Sequence, residues 1–450
     1  MKTKYKGLAI LCAVMVAGLF VALPVVAGAA GINTPNTVAL YDAGYNWIRD
    51  DSLTGALASI GHGYTIELLD DVSDSGGPLV IDTALFLVLD GHSFTYANVG
   101  GNALEVKGNW LDVHGPGEFT IDGSITAEYS ALFGDYGALI DVTGSVTSTT
   151  TDEHVLCVFD GSSVSIGGSV TAPNLDPANG VCAVSCDQAL YLEIGGNLVS
   201  AGSGIEAWDG SSVLIKGEVI TGGGGVYASD EDTSVLVDNS ITAHGNGAVA
   251  VDGASLRVNG TINAVGPGNN AAIPFGAGAN TGGTLMVNGS VYSDYNGIVC
   301  WDGGSVYVVA DVMAAGEYGV WCDTGPHDAV GSEVTIDGSL TVTGPATVFI
   351  YVGQVDKTPA DHDSTSIKAG YMQYSGTQMF EDYPDATSYV WIKIPEPDPG
   401  PGPGPGPGPG PTPGPIPPPT GDAGTLVSMG LVVVASTLGL CSTALGKRYF

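Results

Sequence analysis

One nine-residue pattern of apolar and small positions recurs ten times between Phe119 and Val342. Its order is aliphatic, any, aliphatic, any, small, any, aliphatic, any, small, as in Val213–Thr221 and Leu256–Ala264. The central small residues are Gly123, Gly144, Gly168, Gly196, Gly217, Asn239, Gly260, Gly289, Ala310 and Gly338. Successive markers lie 21 to 29 residues apart. A period near 21 with occasional insertions is typical of a solenoid whose loops vary while its coils do not.

Alternate residues of a strand point to opposite sides, so Val213, Ile215 and Val219 are expected to face the same way. One coil cannot bury such a row alone, and stacking on neighbouring coils completes a core. A second short strand precedes each pattern, as in Gly204–Trp208, and ends in an Asp-Gly or similar turn. The sequence therefore predicts an all-β fold, a single-stranded parallel β-helix with coils of about 21 residues.

The marker residue is small, which we interpret as a corner inside each coil. Aspartates close the turn after the preceding strand, where a left-handed residue is expected. These turn aspartates are Asp160, Asp209, Asp230, Asp252, Asp302 and Asp323. Their carboxylates could also bind calcium incidentally, although turn chemistry explains the pattern without an ion.

The formal net charge of −35 excludes one large class of partner. Only seven basic residues lie between Gly31 and Ile394, namely Arg49, Lys107, Lys216, Arg257, Lys357, Lys368 and Lys393. Nucleic acid binding needs clustered Lys and Arg, so we expect no nucleic acid partner. An acidic surface instead suits solubility outside the cell or contact with divalent cations.

Five cysteines remain once Cys12 and Cys441 of the terminal apolar segments are set aside: Cys157, Cys182, Cys186, Cys300 and Cys322. An odd number cannot pair completely within one chain, and their neighbours are apolar. We expect small core hydrophobes. A zinc site at Cys182-xxx-Cys186 is the weaker alternative, since neither a second pair nor a suitably spaced His accompanies it.

The two ends of the chain read as targeting segments. Lys2, Lys4 and Lys6 precede an apolar run and then Ala27-Gly28-Ala29, which predicts a signal peptide over residues 1–29. Residues 395–419 are a Pro/Gly-rich spacer, expected to be an extended stalk. Residues 420–450 hold an apolar segment long enough to form a transmembrane helix, followed by Lys447-Arg448.

The order Pro418-Pro419-Thr420-Gly421, apolar span and basic residues resembles the sorting signal of Gram-positive cell-wall-anchored surface proteins. The resemblance implies that a sortase cleaves after Thr420 and joins it to peptidoglycan, with Pro418, Thr420 and Gly421 as the matching residues. Pro417 stands where that family has Leu. The alternative is a membrane anchor with the same orientation. Both interpretations place the β-helix at the extracellular surface, anchored to the cell wall or the membrane.

Residues 30–117 differ from the repeats that follow. A short amphipathic stretch, Leu53–Ile60, precedes two apolar strand patterns, and this order resembles the N-terminal cap and first coils of pectin-lyase-like β-helix surface proteins. We therefore divide the folded part into residues 30–117 as cap and first coils, 118–350 as repeat β-helix and 351–394 as C-terminal cap. Caps are expected because an uncovered end strand would pair with other chains.

Polar residues just before the markers predict a ladder on consecutive coils. Lys216, Asp238, Asn259 and Asn288 form it, with Arg257 beside it. The ladder could hydrogen-bond a glycan or hold calcium. It could equally be a solvated strand surface. Trp208 and Trp301, at equivalent places, could stack on sugar rings, or belong to the core.

The residues favour a non-catalytic protein. We find neither the paired carboxylates of a glycosidase nor a nucleophile–base arrangement at recognisable spacing. The sequence predicts a surface-displayed β-helix that acts in adhesion or contact with a glycan or host surface. It predicts no cofactor other than possible calcium. The alternative is a polysaccharide-degrading lyase or glycoside hydrolase of the β-helix type.

Overall fold

The computed structural model describes residues 37–75, 78–107, 110–266, 274–324, 330–344, 348–378 and 385–396. Up to Pro395 these residues belong to one compact unit. It is an all-β parallel solenoid of about eleven coils with about 22 residues in each. The predicted architecture is therefore confirmed. The signal peptide, most of the Pro/Gly-rich spacer and the C-terminal segment lie outside the described residues.

Each repeat coil carries three short strands, and like strands of successive coils pair in parallel to form three faces. The first face contains, in order, Tyr64–Leu68, Leu85–Val88, Leu111–His114, Leu132–Asp135, Leu156–Phe159, Cys182–Asp187, Ser203–Trp208, Val226–Ser229, Ala248–Val251, Phe275–Ala279, Asn296–Cys300, Tyr318–Cys322 and Val348–Val352.

The second and third faces are joined near the N-terminus by two long strands, Ser93–Val106 and Gly117–Ala127, that run through both. The second face also holds Val72–Ser75, Ala138–Val142, Ser163–Ile166, Tyr191–Ile194, Ser212–Ile215, Ser234–Val237, Ser255–Val258, Thr284–Val287, Ser305–Val308, Glu333–Ile336 and Ala386–Lys393. The third face also holds Leu79–Ile81, Val146–Ser148, Val170–Ala172, Leu198–Ser200, Val219–Thr221, Ile241–Ala243, Ile262–Ala264, Val291–Ser293, Val312–Ala314 and Leu340–Val342.

Aliphatic side chains stack in columns inside the solenoid. The strand register places Val213, Val235, Leu256 and Leu285 one above the other, and all are at most 3 % exposed. Their neighbours in sequence point outwards. The inward set predicted from the nine-residue pattern is thus confirmed, and the repeats form one continuous core.

The marker glycines sit at the bend between the second and third faces, as predicted. A Cβ on Gly217 would lie 2.3 Å from the carbonyl oxygen of Gly196 on the preceding coil, and one on Gly196 would lie 2.8 Å from that of Gly168. The amides of these two glycines donate to the same carbonyls, at 3.1 and 2.7 Å. At Gly196 and Gly217 the small residue therefore allows close approach between neighbouring coils at the predicted corner.

The turn from the first to the second face uses the left-handed conformation expected of its aspartates. Asp209 and Gly210 have φ of 49° and 85°, and Asp252 and Gly253 have 52° and 87°. Two successive positive φ values define a tight turn that Asp-Gly tolerates well. Asp323 is the exception among the six predicted turn residues. Asp323 does not have a positive φ, and the next strand of the second face begins only at Glu333.

Antiparallel strands flank the parallel stack at both ends. Val38–Tyr41 pairs with Trp47–Asp51 and with Tyr64–Leu68. The α-helix Leu53–Leu57 lies between these last two strands in the sequence. The helix ends at Leu57 rather than Ile60, and the Ser59 hydroxyl donates to the carbonyl of Gly55 just beyond its end. At the other end Val355–Lys357 pairs with Val348–Val352, and Tyr371–Gln378 with Ala386–Lys393. A 3-10 turn, Pro177–Asn179, interrupts one coil.

Candidate functional site

The structure brings most of the predicted polar ladder together on the second face. Asn259 donates from Nδ2 to Asp238 Oδ1 at 2.9 Å, and Asn288 donates from Nδ2 to Asn259 Oδ1 at 2.8 Å. Arg257 Nε also donates to Asn259 Oδ1, at 2.9 Å. Asp238, Asn259 and Asn288 thus lie on three consecutive coils as the sequence predicted, with Arg257 beside Asn259 on the same coil.

Lys216 departs from that ladder. Its Nζ lies 2.5 Å from Glu193 Oε1 on the preceding coil, and Tyr191 donates from its hydroxyl to Glu193 Oε2 at 2.8 Å. The Lys216 hydrogen bond, followed by that of Tyr191, lowers the pKa of the Glu193 carboxyl. The Lys216 ammonium therefore pairs with the Glu193 carboxylate of the preceding coil, a residue outside the predicted ladder.

The ladder groups hydrogen-bond chiefly to one another across neighbouring strands. Such cross-strand pairs stabilise a sheet by a few tenths of a kcal/mol to about 1 kcal/mol each. A ligand would have to displace these contacts to reach the same atoms. The arrangement therefore explains the polar column as sheet surface chemistry and leaves ligand binding there as a hypothesis.

The two predicted tryptophans occupy equivalent register positions on the first face but differ in environment. Trp208 is 40 % exposed and lies edge-on to Tyr227, with ring centroids 6.4 Å apart. Trp301 is only partly exposed, because its ring packs against Trp321 with centroids 5.3 Å apart. Trp208 remains available to a ligand, whereas Trp301 belongs to an aromatic cluster with Trp321, Tyr318 and Tyr351.

A cleft beside Trp208 was not predicted from the sequence. It has a volume of about 240 Å³ and spans three coils of the first face. Its lining residues are Pro177, Gly180, Ser203, Ile205, Glu206, Gly223, Gly224, Gly225, Val226, Tyr227, Gly245, Asn246 and Val249. Glycines keep the floor open, and Glu206, Tyr227 and Asn246 supply polar groups.

The wall of this cleft comes from an insertion. The step between the markers Gly168 and Gly196 is 28 residues instead of 21, and part of the extra length forms the 3-10 turn Pro177–Asn179. Asp176 caps this turn by accepting a hydrogen bond from the amide of Ala178 at 2.8 Å. The insertion was visible in the sequence, but the coil face it would cover was not.

Glu206 is the ionisable group inside the cleft. It points outwards from the first face, in register with Ser185 on one side and Tyr227 on the other. Burial raises the pKa of its carboxyl above the ordinary value, and burial likewise raises the pKa of the Tyr227 hydroxyl.

The cysteines behave as predicted. Cys157, Cys182, Cys186, Cys300 and Cys322 are all buried free thiols. Burial raises the pKa of Cys157, Cys182, Cys186 and Cys322, which disfavours the thiolate that zinc binding or nucleophilic attack would need.

The predicted sorting-signal residues Pro418, Thr420 and Gly421 lie outside the described residues. Within the part of the chain that the structure describes, no helix is long and apolar enough to cross a membrane.

A scan against protein-family models, a search of curated proteins and a search of solved structures each found no match to this chain. The fold is that of a parallel β-solenoid, which does not by itself determine function.

Proposed function

We propose that this protein is a non-catalytic, surface-displayed β-helix that binds a glycan in the cleft around Glu206. The observation that carries the proposal is the combination of Glu206, Tyr227 and Asn246 in one cleft with the exposed ring of Trp208, which contacts Tyr227. Aromatic rings pack on the apolar faces of sugars, and carboxyl, hydroxyl and amide groups match sugar hydroxyls.

The size of the cleft limits the ligand. Its volume of about 240 Å³ lies just below the roughly 300 Å³ at which typical small-ligand pockets begin. A terminal sugar fits this volume, and the rest of an oligosaccharide would extend along the outer surface of the first face. The net charge of −35 favours neutral or basic glycans over acidic ones.

Attachment to the cell surface is the second part of the proposal. The N-terminal segment would direct export, and Thr420 would be joined to peptidoglycan by a sortase, with a membrane anchor as the alternative. The Pro/Gly-rich spacer would hold the capped solenoid away from the envelope. Mass spectrometry of the C-terminal peptide separates the two routes, because sortase processing ends the chain at Thr420 and a membrane anchor retains residues up to Phe450.

Glycan binding is tested by a glycan array on the intact chain, followed by calorimetric titration of any hit. Trp208→Ala and Glu206→Gln should each weaken binding by about tenfold, which corresponds to the loss of about 1.4 kcal/mol. Tyr292→Ala is the matched control, because Tyr292 is also 40 % exposed but lies on the third face. Equal effects of Trp208→Ala and Tyr292→Ala would exclude the cleft as the site.

One observation favours a second candidate function, polysaccharide cleavage. Glycoside hydrolysis needs a protonated acid and a second carboxylate. Burial raises the pKa of Glu206, as an acid requires, and the register places the carboxylate of Asp187 diagonally across from it on the same outer surface. Release of reducing ends from a bound glycan, abolished by Glu206→Gln, would establish the enzyme and overturn the non-catalytic proposal.

A further inference from the structure

We propose that Asp112, His114 and Asp135 form a binding site for a divalent transition-metal ion on the outer surface of the first face. Asp112 and His114 are alternate residues of Leu111–His114, so both project outwards. The register pairs Asp135 of the next coil with His114. Three potential ligands thus meet at one point of the solenoid surface.

The distances suit a single ion. One ligand atom from each of the three side chains lies within 4.8 Å of the other two. His114 Nε2 is 3.1 Å from Asp112 Oδ2. Asp112 Oδ1 is buried from solvent and makes no hydrogen bond, whereas His114 Nε2 is paired with Asp112 Oδ2 alone. A buried carboxylate oxygen without a hydrogen bond is uncommon, and a bound ion would satisfy it.

Aromatic rings hold the imidazole in place. Tyr136 stacks on the His114 ring with centroids 5.5 Å apart, and Phe86 contacts it at 5.4 Å. Trp110 in turn packs edge-on against Phe86 at 4.5 Å. A fixed ring orientation reduces the entropy lost when a ligand atom is committed to a metal.

The chemistry of the ligands selects the type of ion. Calcium prefers six to eight oxygen ligands, whereas an imidazole with carboxylates suits zinc and related ions. The His114 and Asp112 side chains are 21 % and 17 % exposed, although Asp112 Oδ1 and His114 Nε2 are themselves covered. Three protein ligands with an open position would let the ion hold water or a further ligand.

This site is separate from the Glu206 cleft. Asp112, Phe133, Cys157, Ser185 and Glu206 occupy one register column of the first face, so four coil steps separate the two places. At about 4.8 Å per step the separation is roughly 19 Å. The metal proposal therefore does not depend on glycan binding, and either can fail alone.

The test is calorimetric titration of the intact chain, stripped with a chelator, with zinc chloride and with calcium chloride. We expect one equivalent of zinc to bind more tightly than calcium. His114→Gln and Asp135→Asn should each weaken zinc binding by at least about tenfold, since even outer-shell changes cost that much. Asp141→Asn is the matched control, because it removes an exposed outward carboxylate of the second face and should leave zinc affinity unchanged.

The outcomes decide the proposal. An anomalous scattering peak for zinc between the three side chains would support it. Absence of stoichiometric zinc binding, or zinc binding that His114→Gln and Asp135→Asn leave intact, would overturn it. Circular dichroism of both variants with chelator present checks that they fold, and the near-isosteric substitutions keep the comparison valid.

Discussion

Two adjacent residues test the inward and outward alternation on which the solenoid depends. Ile215 is 0 % exposed and stacks between Ile194 and Val237 inside the core. Leu214, its neighbour, points outwards and is only partly buried between Glu193 and Leu236. Replacing each by Ala removes a similar volume from opposite sides of the same strand.

The expected losses differ because only one substitution leaves a cavity. Ile215→Ala should lower the free energy of unfolding by about 2–5 kcal/mol, the range for fully buried Ile or Leu. Leu214→Ala should cost about 1 kcal/mol or less, since Leu214 points outwards and its truncation leaves no enclosed cavity. The two variants should therefore differ by at least about 1 kcal/mol, and by about 3 kcal/mol at the centre of the range.

Urea unfolding followed by far-UV circular dichroism measures the difference. The slope of the transition should match that of the parent chain, which shows that the same surface unfolds. Equal losses for the two variants, or a larger loss for Leu214→Ala, would refute the assignment of inward and outward positions.

Further predictions concern the coil bends, the cleft and the thiols. Gly217→Ala should lower the free energy of unfolding by about 1–3 kcal/mol, because the added methyl group overpacks against Gly196. Gly224→Ala, whose Cβ would lie 3.8 Å from the nearest atom, should leave that free energy nearly unchanged in the same urea assay. Burial raises the pKa of Glu206, so the folded state binds more protons than the unfolded state and stability falls as pH rises above the ordinary Glu range. Glu206→Gln should remove that cost, raising the melting temperature at pH 8 but not at pH 4, and an equal shift at both would contradict the assignment. The five core cysteines should react with a thiol reagent only after unfolding; rapid reaction of the native chain would show that they are accessible.

The repeated part of the fold could be predicted because its pattern is local. Side-chain alternation and a period near 21 are properties of the sequence itself, and they identified the core column through Val213 and the turn at Asp209. The bend glycines were located correctly, but their role depends on the approach of the preceding coil. That distance is set by stacking, which a single repeat does not reveal.

The candidate sites were harder to predict because they depend on which residues of different coils become neighbours. Lys216 has an acidic residue on each neighbouring coil, Glu193 on one side and Asp238 on the other, and it pairs with Glu193. The Glu206 cleft needs a loop from another coil to form its wall. The Asp112, His114 and Asp135 group was predictable from the sequence. Asp135 lies 21 residues after His114, which is one coil step, so alignment of the first-face strands of neighbouring coils brings the three side chains together.

The most direct test of the proposed function is one titration of a glycan hit with the parent chain and Glu206→Gln, in which affinity and glycan integrity are measured on the same samples. We expect the parent chain to bind the glycan and leave it uncleaved, and we expect Glu206→Gln to bind it about tenfold more weakly. Cleavage of the glycan by the parent chain, or unchanged affinity of Glu206→Gln, would contradict it.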